Sequence, residues 1–143
     1  MVSTVIPVPP FDLVIFGATG DLAHRKILPS LYRRLAAHQV PAGSRIIGAA
    51  RAKMSREEFQ NSIRDSLMEF IGGARLDTAV LEAFLASLDY VPIDATGEQG
   101  WDTLARTLEE KPDHVRAFYL SVAPSLFAEI ADRLAKAGIA TPT

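Results

Sequence analysis

The chain has 143 residues, the usual length of one domain, which is enough to bury a hydrophobic core. Hydrophobic residues make up 48% and charged residues 22%, as in ordinary globular proteins. The net charge of -2 argues against a nucleic-acid-binding protein, and the absence of cysteine excludes disulfides and cysteine-based zinc sites. No apolar run approaches the roughly 20 residues of a membrane span, so we expect a cytoplasmic protein without membrane contact. The N-terminal "MVSTVIPVPP" lacks signal-peptide features, and its prolines predict an extended arm.

Four short apolar runs predict buried strands, and helical patterns separate them. The runs are "DLVIFG" (12–17), "RIIGAA" (45–50), "LDYVPID" (88–94) and "VRAFYLSV" (115–122). Pro92 limits the third run to a short or edge strand. Alternation of strands and helices predicts one domain over residues 1–143. We expect a Rossmann-like, doubly wound parallel sheet of four to five strands in three α/β/α layers.

Capping and proline signals predict where the helices begin. Ser55 and Glu58 form a capping box ahead of a helix that Gly72 ends. Pro29 predicts a short first turn over residues 22–28, after which a longer helix starts. Pro124 suits the first turn of the last helix. The apolar face of that last helix is expected to consist of Phe127, Ile130, Ala131 and Leu134.

The stretch "FGATGDLAHRKILPSLY" carries a candidate phosphate-binding loop. Gly17 lies where the first strand must turn into a helix, and Gly20 lies where the backbone must pass close to a partner. Free N–H groups at a helix start carry positive partial charge and favour a pyrophosphate, to which Thr19 adds a hydroxyl. The spacing is a variant of the dinucleotide fingerprint, because Ala23 stands where a third glycine is usual. The alternative is a plain strand–helix turn that binds nothing.

Basic residues follow the loop and the second strand. His24, Arg25 and Lys26 are expected to cluster near the phosphate site, or to form a solvated basic turn. The second strand ends in "GAARAK", with Arg51 where NAD-binding proteins place an acidic residue against the ribose. A guanidinium there suits a 2′-phosphate and favours NADP over NAD. The alternative for Arg51 is a plain surface residue at a strand end.

The loop stretch resembles the coenzyme-binding signature of glucose-6-phosphate dehydrogenases, G-[AG]-[ST]-G-D-L-A-x-[RK]-K-x-x-P-x-[LIV]. "IIGAAR" and "FYLSVAPSLF" resemble the family's second-strand and fourth-strand segments, and "IDAT" matches its third-strand segment more loosely. The resemblance implies that Arg51 binds the coenzyme 2′-phosphate and that Ser121 lies near the nicotinamide end. The coenzyme-binding residues expected in total are Gly17, Ala18, Thr19, Gly20, Asp21, Leu22, Arg51, Asp94, Ala95, Val122, Ala123 and Pro124.

The family's enzymes run to several hundred residues, and two of their motifs have no counterpart here. The first is an E-K-P-F-G strand end, whose lysine binds both sugar phosphate and coenzyme. The second is a segment that contains the histidine base, which takes the proton from the sugar hydroxyl. The "EKP" at Glu110–Pro112 is not the former, because it precedes the fourth strand. The resemblance therefore implies an NADP-binding domain whose substrate domain is absent, with no catalytic or metal-binding residue of its own. The 143-residue chain alone is expected to be inactive.

The full-length enzyme implied by the resemblance is a homo-oligomer. It oxidises glucose 6-phosphate to 6-phosphogluconolactone with NADP, the first step of the pentose phosphate pathway. The alternative is a stand-alone NADP-binding or NADP-sensing regulatory module without catalysis. Such regulators usually continue "GATGxxG", whereas Ala23 and the "RKxxP" run favour the dehydrogenase. A reading frame that continues past Thr143 into E-K-P-F-G would distinguish the two.

Overall fold

Four parallel strands form the centre of the molecule in the computed structural model, which describes residues 9–139. The strands are β1 (Phe11–Phe16), β2 (Arg45–Ala50), β3 (Leu88–Pro92) and β4 (Val115–Leu120). They lie in the order β3-β2-β1-β4, so β3 is an edge strand that ends at Pro92, as predicted. The predicted N-terminal arm lies outside the described residues except for Pro9 and Pro10.

Within residues 9–139, five α-helices cover the two faces of the sheet. They are α1 (Leu28–Ala36), α2 (Arg56–Phe70), α3 (Thr78–Ala86), α4 (Trp101–Glu109) and α5 (Phe127–Lys136). Two 3₁₀ turns occur at Gly73–Arg75 and Pro124–Leu126. No helix within residues 9–139 combines the length and the hydropathy that crossing a membrane requires.

Alternating side chains of each strand enter two separate cores, which confirms the three-layer, doubly wound α/β architecture. On β1, Ile15 faces α1, α2 and α3, whereas Val14 and Phe16 face α4 and α5. The first core includes Leu28, Tyr32, Phe59, Ile63, Leu67, Phe84 and Leu88. The second includes Ile47, Val91, Trp101, Leu104, Leu108, Ile130 and Leu134. This two-sided burial explains why the strands read as continuous apolar runs.

Helix α2 begins as predicted, with a complete capping box. The Ser55 hydroxyl accepts a hydrogen bond from the Glu58 N–H at 3.0 Å, and the Glu58 carboxylate accepts one from the Ser55 N–H at 3.0 Å. Phe59 then packs directly over Gly48 of β2, where an added Cβ would lie 2.6 Å from the ring. Gly48 therefore lets α2 approach the sheet closely beneath the candidate loop.

The helix after the loop differs from the expected break at Pro29. The chain is helical from Asp21 onward, and residues Ala23–Ile27 form a π-helical turn that leads directly into α1. The N–H of Leu28 donates to the carbonyl of Ala23, one residue further back than in an α-helix. The wider turn accommodates Pro29, whose ring clashes with the preceding turn of a regular α-helix and which has no N–H to donate.

The expectation for the last helix is correct at its start and wrong for part of its apolar face. Pro124 opens the first turn, which is a 3₁₀ turn, and α5 follows directly from Phe127. Ile130 and Leu134 are buried as expected, but Phe127 is 41% exposed and Ala131 is exposed as well. The reason is that β4 is an edge strand, so no element within residues 9–139 lies beyond it to cover the start of α5.

Candidate functional site at the carboxyl end of the sheet

The carboxyl ends of β1, β2 and β4 meet at a cavity of about 290 Å³. The parallel register aligns Phe16 of β1 with Ala49 of β2 and Leu120 of β4, so the loops after these strands emerge side by side. β1 connects to β2 on one side of the sheet, whereas β3 crosses over to β4 on the other, which makes a topological switch point next to β1. Ligands of open α/β sheets bind at such points.

Gly17 joins the loop to the ends of β2 and β4. Its N–H donates to the Ala49 carbonyl at 2.8 Å, and its φ of +82° is one that glycine adopts readily. A Cβ at this position would collide with the backbone carbonyl of Ser121. Gly17 is therefore required by the fold itself, where three strand ends crowd together.

At Gly20, by contrast, no comparable collision with the rest of the fold requires a glycine. An added Cβ there would have one neighbour within 4 Å, the carbonyl oxygen of Gly17 at 3.2 Å. Gly20 is exposed and lines the cavity, and it directly precedes the first helical residue. Within residues 9–139, no hydrogen bond uses the N–H groups of Thr19, Asp21 or Leu22. Such free donors around an open glycine fit a pyrophosphate.

Arg51 borders this cavity at the end of β2 and is exposed. It also lines a smaller neighbouring cavity of about 150 Å³ together with Lys53 and Asp94. The Asp94 carboxylate accepts hydrogen bonds from the N–H and the hydroxyl of Thr96, each at 3.0 Å. These bonds, and then the nearby charge of Arg51, hold the pKa of Asp94 below its usual value. Asp94 thus shapes a turn, and the guanidinium of Arg51 remains available beside the cavity.

Half of the twelve residues expected to bind coenzyme line the cavity. Those six are Gly17, Thr19, Gly20, Arg51, Ala95 and Val122. Ala18 is fully buried beneath the loop, and Asp94 lies in the adjoining cavity. Four lie exposed at the rim, at the start of the first helix or after β4: Asp21, Leu22, Ala123 and Pro124. A coenzyme-binding role for any of the twelve remains a prediction.

The structure separates the three basic residues that were expected to cluster. His24 Nδ1 lies 2.5 Å from the Ser66 hydroxyl in α2. Burial lowers the pKa of His24, although the Ala18 carbonyl and the Asp21 carboxylate favour its protonated form. Arg25 instead pairs with Asp21 at 3.3 Å and stacks on the Phe70 ring, and Lys26 is exposed.

Sequence reasoning missed the apolar lining of the cavity. The additional lining residues are Phe16, Ala49, Ala50, Ala52, Ile93 and Leu126. The run of small residues "GAARA" at the end of β2 was an available signal, because small side chains at a strand end leave space for a ligand. Ile93 and Leu126 could not be assigned in this way, since they approach the cavity from separate loops.

Comparison with known proteins gives a consistent result. The family model described as "Glucose-6-phosphate dehydrogenase, NAD binding domain" matches residues 14–143. Glucose-6-phosphate 1-dehydrogenase of Rhizobium meliloti (strain 1021) is 47% identical over 134 residues, which cover 94% of this chain and 27% of that protein.

Two solved structures of glucose-6-phosphate dehydrogenases are also similar to this chain. The crystal structure of glucose-6-phosphate 1-dehydrogenase from Mycobacterium avium matches with a TM-score of 0.75 and 33% identity, over 92% of this chain and 28% of that one. A glucose-6-phosphate dehydrogenase in complex with its substrate glucose-6-phosphate matches with a TM-score of 0.78 and 26% identity, over 93% and 28% of the two chains. The chain thus spans little more than a quarter of the length of these relatives.

Proposed function

This chain belongs to the glucose-6-phosphate dehydrogenase family through its NAD-binding domain, and on that premise we propose that it binds NADP at the carboxyl end of its sheet. The observation that carries the proposal is the shared cavity. The Gly17–Gly20 loop and Arg51 border the same space at the switch point of the sheet. One group of donors suits a pyrophosphate, and the other suits a phosphate on the adenosine ribose.

The loop holds the pyrophosphate through its backbone in this proposal. The free N–H groups of Thr19, Asp21 and Leu22 donate to phosphate oxygens, and the positive end of the helix adds to the attraction. Gly20 contributes by having no side chain, because a Cβ would project into the space that the pyrophosphate needs. The loop is anchored from below by the bond between Gly17 and Ala49.

Arg51 selects the phosphorylated coenzyme. Its guanidinium lies at the end of β2, where the adenosine ribose is held in dinucleotide-binding folds. It is exposed and close enough to Asp94 to affect the pKa of that carboxyl, but the Asp94 oxygens already accept bonds from Thr96. A 2′-phosphate can therefore bind the guanidinium without displacing a buried ion pair.

Val122, after β4, would line the nicotinamide end of the site. Bound NADP would supply a hydride acceptor, and Val122 would form part of the apolar wall beside it. In the longer protein this domain serves a cytoplasmic dehydrogenase that oxidises glucose 6-phosphate in the pentose phosphate pathway. The resemblance assigns the sugar-binding lysine and the histidine base of that reaction to motifs that residues 1–143 do not contain. We therefore expect the 143-residue chain to bind NADP without turnover.

The outer face of β4 supports the assignment to a longer protein. Val115 is 53% exposed and Tyr119 is 45% exposed, and β4 has no neighbouring strand on its outer side within residues 9–139. Exposed apolar side chains on an unpaired edge strand mark a contact surface. In this proposal the surface is covered by the rest of the full-length enzyme.

The test is a calorimetric titration of the 143-residue chain with NADP and with NAD. NADP should bind more tightly, and Arg51→Ala should remove that preference. The loss corresponds to a charge-assisted contact of about 1.5–3 kcal/mol, or a roughly 10- to 150-fold weaker NADP affinity with little change for NAD. Arg75→Ala is the matched control, because it removes the same charge at an exposed position after α2. Equal losses for both coenzymes would overturn the role of Arg51.

A second measurement separates the dehydrogenase from a stand-alone NADP-sensing module. Reduced nicotinamide is followed by absorbance after the chain is mixed with NADP and glucose 6-phosphate. The 143-residue chain should give no turnover, whereas the product of a longer reading frame should give it. Turnover by the purified short chain would contradict this expectation. A reading frame that ends at Thr143 would favour the sensing module.

A further inference from the structure

His24 connects the candidate coenzyme loop to the neighbouring helix α2. Its backbone N–H donates to the Gly20 carbonyl at 3.2 Å, which ties the residue to the end of the loop. Its side chain points the other way, with Nδ1 2.5 Å from the Ser66 hydroxyl. The carbonyl of Ala18, in the middle of the loop, also faces the imidazole. A single side chain thus contacts both the loop and α2.

Ser66 is the partner of His24 on α2. It is buried, and its hydroxyl donates to the carbonyl of Ser62 at 3.1 Å and lies 2.5 Å from His24 Nδ1. A hydroxyl can both donate and accept, so Ser66 can bond the imidazole in either tautomer. The imidazole cannot rotate away without removing this partner from a buried hydroxyl.

His24 lies in the π-helical turn between the loop and α1. His24 is the second residue of this turn, whose wider backbone precedes Pro29. Turns of this kind inside α-helices occur frequently at functional sites. Residue 24 is also the unspecified position of the signature "GDLA-x-RK", so the resemblance assigns no role to it.

From these contacts we infer that His24 is a positioning residue for coenzyme binding, which fixes the Gly17–Gly20 loop against α2 in the shape that accepts a pyrophosphate. This inference rests on the proposed coenzyme site. Ala18 is fully buried, and its carbonyl faces the imidazole, so His24 contacts the backbone of the loop itself. The N–H groups that face the pyrophosphate lie on either side of Gly20, one turn or less from this contact.

The inference distinguishes His24 from Arg51 by the ligand that each affects. NADP and NAD share the pyrophosphate and differ at the 2′-phosphate. His24→Ala should therefore weaken both coenzymes by the same factor, about 3- to 12-fold for the loss of one hydrogen bond. Arg51→Ala should weaken NADP alone. Ser66→Ala should reproduce the effect of His24→Ala, and the double variant should lose no more than the larger single loss.

The experiment is a set of calorimetric titrations of wild type, His24→Ala, His24→Asn, Ser66→Ala and the double variant, with NADP and with NAD. His24→Asn keeps an amide that can donate or accept near the position of Nδ1 and should recover most of the affinity. Urea unfolding of each variant accompanies the titrations, because a purely structural role would change stability and leave affinity unchanged. Wild-type affinity retained by folded His24→Ala, or losses that add in the double variant, would overturn the inference. Failure of wild type to bind either coenzyme would overturn the proposed function itself.

Discussion

The two ends of the parallel sheet differ in the groups that they contain, which are charged side chains at the amino end and small side chains and backbone N–H groups at the carboxyl end. At the amino end, the fully buried Asp12 carboxylate accepts bonds from Arg45 Nε at 2.9 Å and Nη2 at 2.8 Å, and it lies 2.8 Å from His114 Nδ1. Arg45 also donates to the Thr107 carbonyl at 2.9 Å. At the carboxyl end, glycine, alanine and backbone N–H groups surround an open cavity.

The difference predicts that the amino end of the sheet stabilises the fold and that the carboxyl end binds coenzyme. The charged side chains at the amino end satisfy one another, and together they tie β1 and β2 to α4 and to the start of β4. At the carboxyl end, the N–H groups of Thr19, Asp21 and Leu22 donate to no partner among residues 9–139. Substitutions at the amino end should therefore act on folding, and substitutions at the carboxyl end on coenzyme affinity.

The largest expected effect is the loss of stability in Arg45→Ala. Removing the guanidinium leaves a buried carboxylate with His114 as its remaining side-chain hydrogen-bond partner, and breaking a buried ion pair in this way costs about 3–5 kcal/mol. Urea unfolding measures this free energy. Arg64→Ala is the matched control, because its pair with Glu82 is exposed and contributes about 0–1 kcal/mol. Similar losses of unfolding free energy in Arg45→Ala and Arg64→Ala would show that the buried pair at the amino end stabilises the fold no more than an exposed one.

The next effect separates two glycines of the same loop. Gly20→Val should abolish measurable binding of NADP and NAD, because its side chain occupies the pyrophosphate space, and should change the free energy of unfolding by about 1 kcal/mol or less. Gly17→Ala should instead destabilise the fold, because of its positive φ and the collision with the Ser121 carbonyl. Titration calorimetry and urea unfolding measure both quantities. If Gly20→Val folds normally and still binds coenzyme, Gly20 is only a turn residue.

A smaller effect appears in the dependence of stability on pH. Burial opposes ionisation of Asp12, but the bonds from Arg45 and His114 outweigh it and hold its pKa below the unfolded value of 3.8. The unfolded chain therefore binds a proton before the folded chain does. The stability that the ionised carboxylate contributes is complete above pH 3.8 and is lost as the pH falls through the folded-state pKa.

Asp12→Asn should make the free energy of unfolding less dependent on pH below about pH 4, by about 1.4 kcal/mol for each unit of the pKa shift. Urea titrations between pH 2 and pH 6 measure the two slopes. The difference should persist at high salt, since buried charges are screened weakly. Identical slopes for wild type and variant would show that Asp12 carries no such linkage.

The fold could be predicted from the sequence because its signals are local. Apolar runs gave all four strands, the Ser55 capping box marked the start of α2, and Pro92 limited β3 to an edge strand. The loop could be predicted for the same reason, since Gly17 directly follows β1 and Gly20 lies three residues further on. The basic end of the second strand added Arg51 to the candidate site, and the structure brings it to the same cavity.

What the sequence did not reveal depends on contacts between distant segments. Asp12, Arg45 and His114 are far apart in the chain, and only the register of the sheet brings them together. The bond between His24 and Ser66 depends likewise on the packing of the π-helical turn against α2. The exposure of Phe127 follows from which strand lies at the edge, which no local pattern encodes.

The smallest expected effect concerns a third region, the open edge of β4, which belongs to neither end of the sheet. Val115 and Tyr119 expose apolar surface there, and we expect the 143-residue chain to associate weakly as its concentration rises. Tyr119→Lys should reduce this association, because a lysine on an edge strand opposes pairing, whereas Tyr119→Phe should preserve it. Sedimentation velocity at several protein concentrations measures the effect. Tyr119 lies outside the coenzyme cavity and the Asp12 cluster, so neither NADP affinity nor unfolding free energy should change by more than about 0.5 kcal/mol. A wild-type chain that remains monomeric at all concentrations would show that this edge needs no partner.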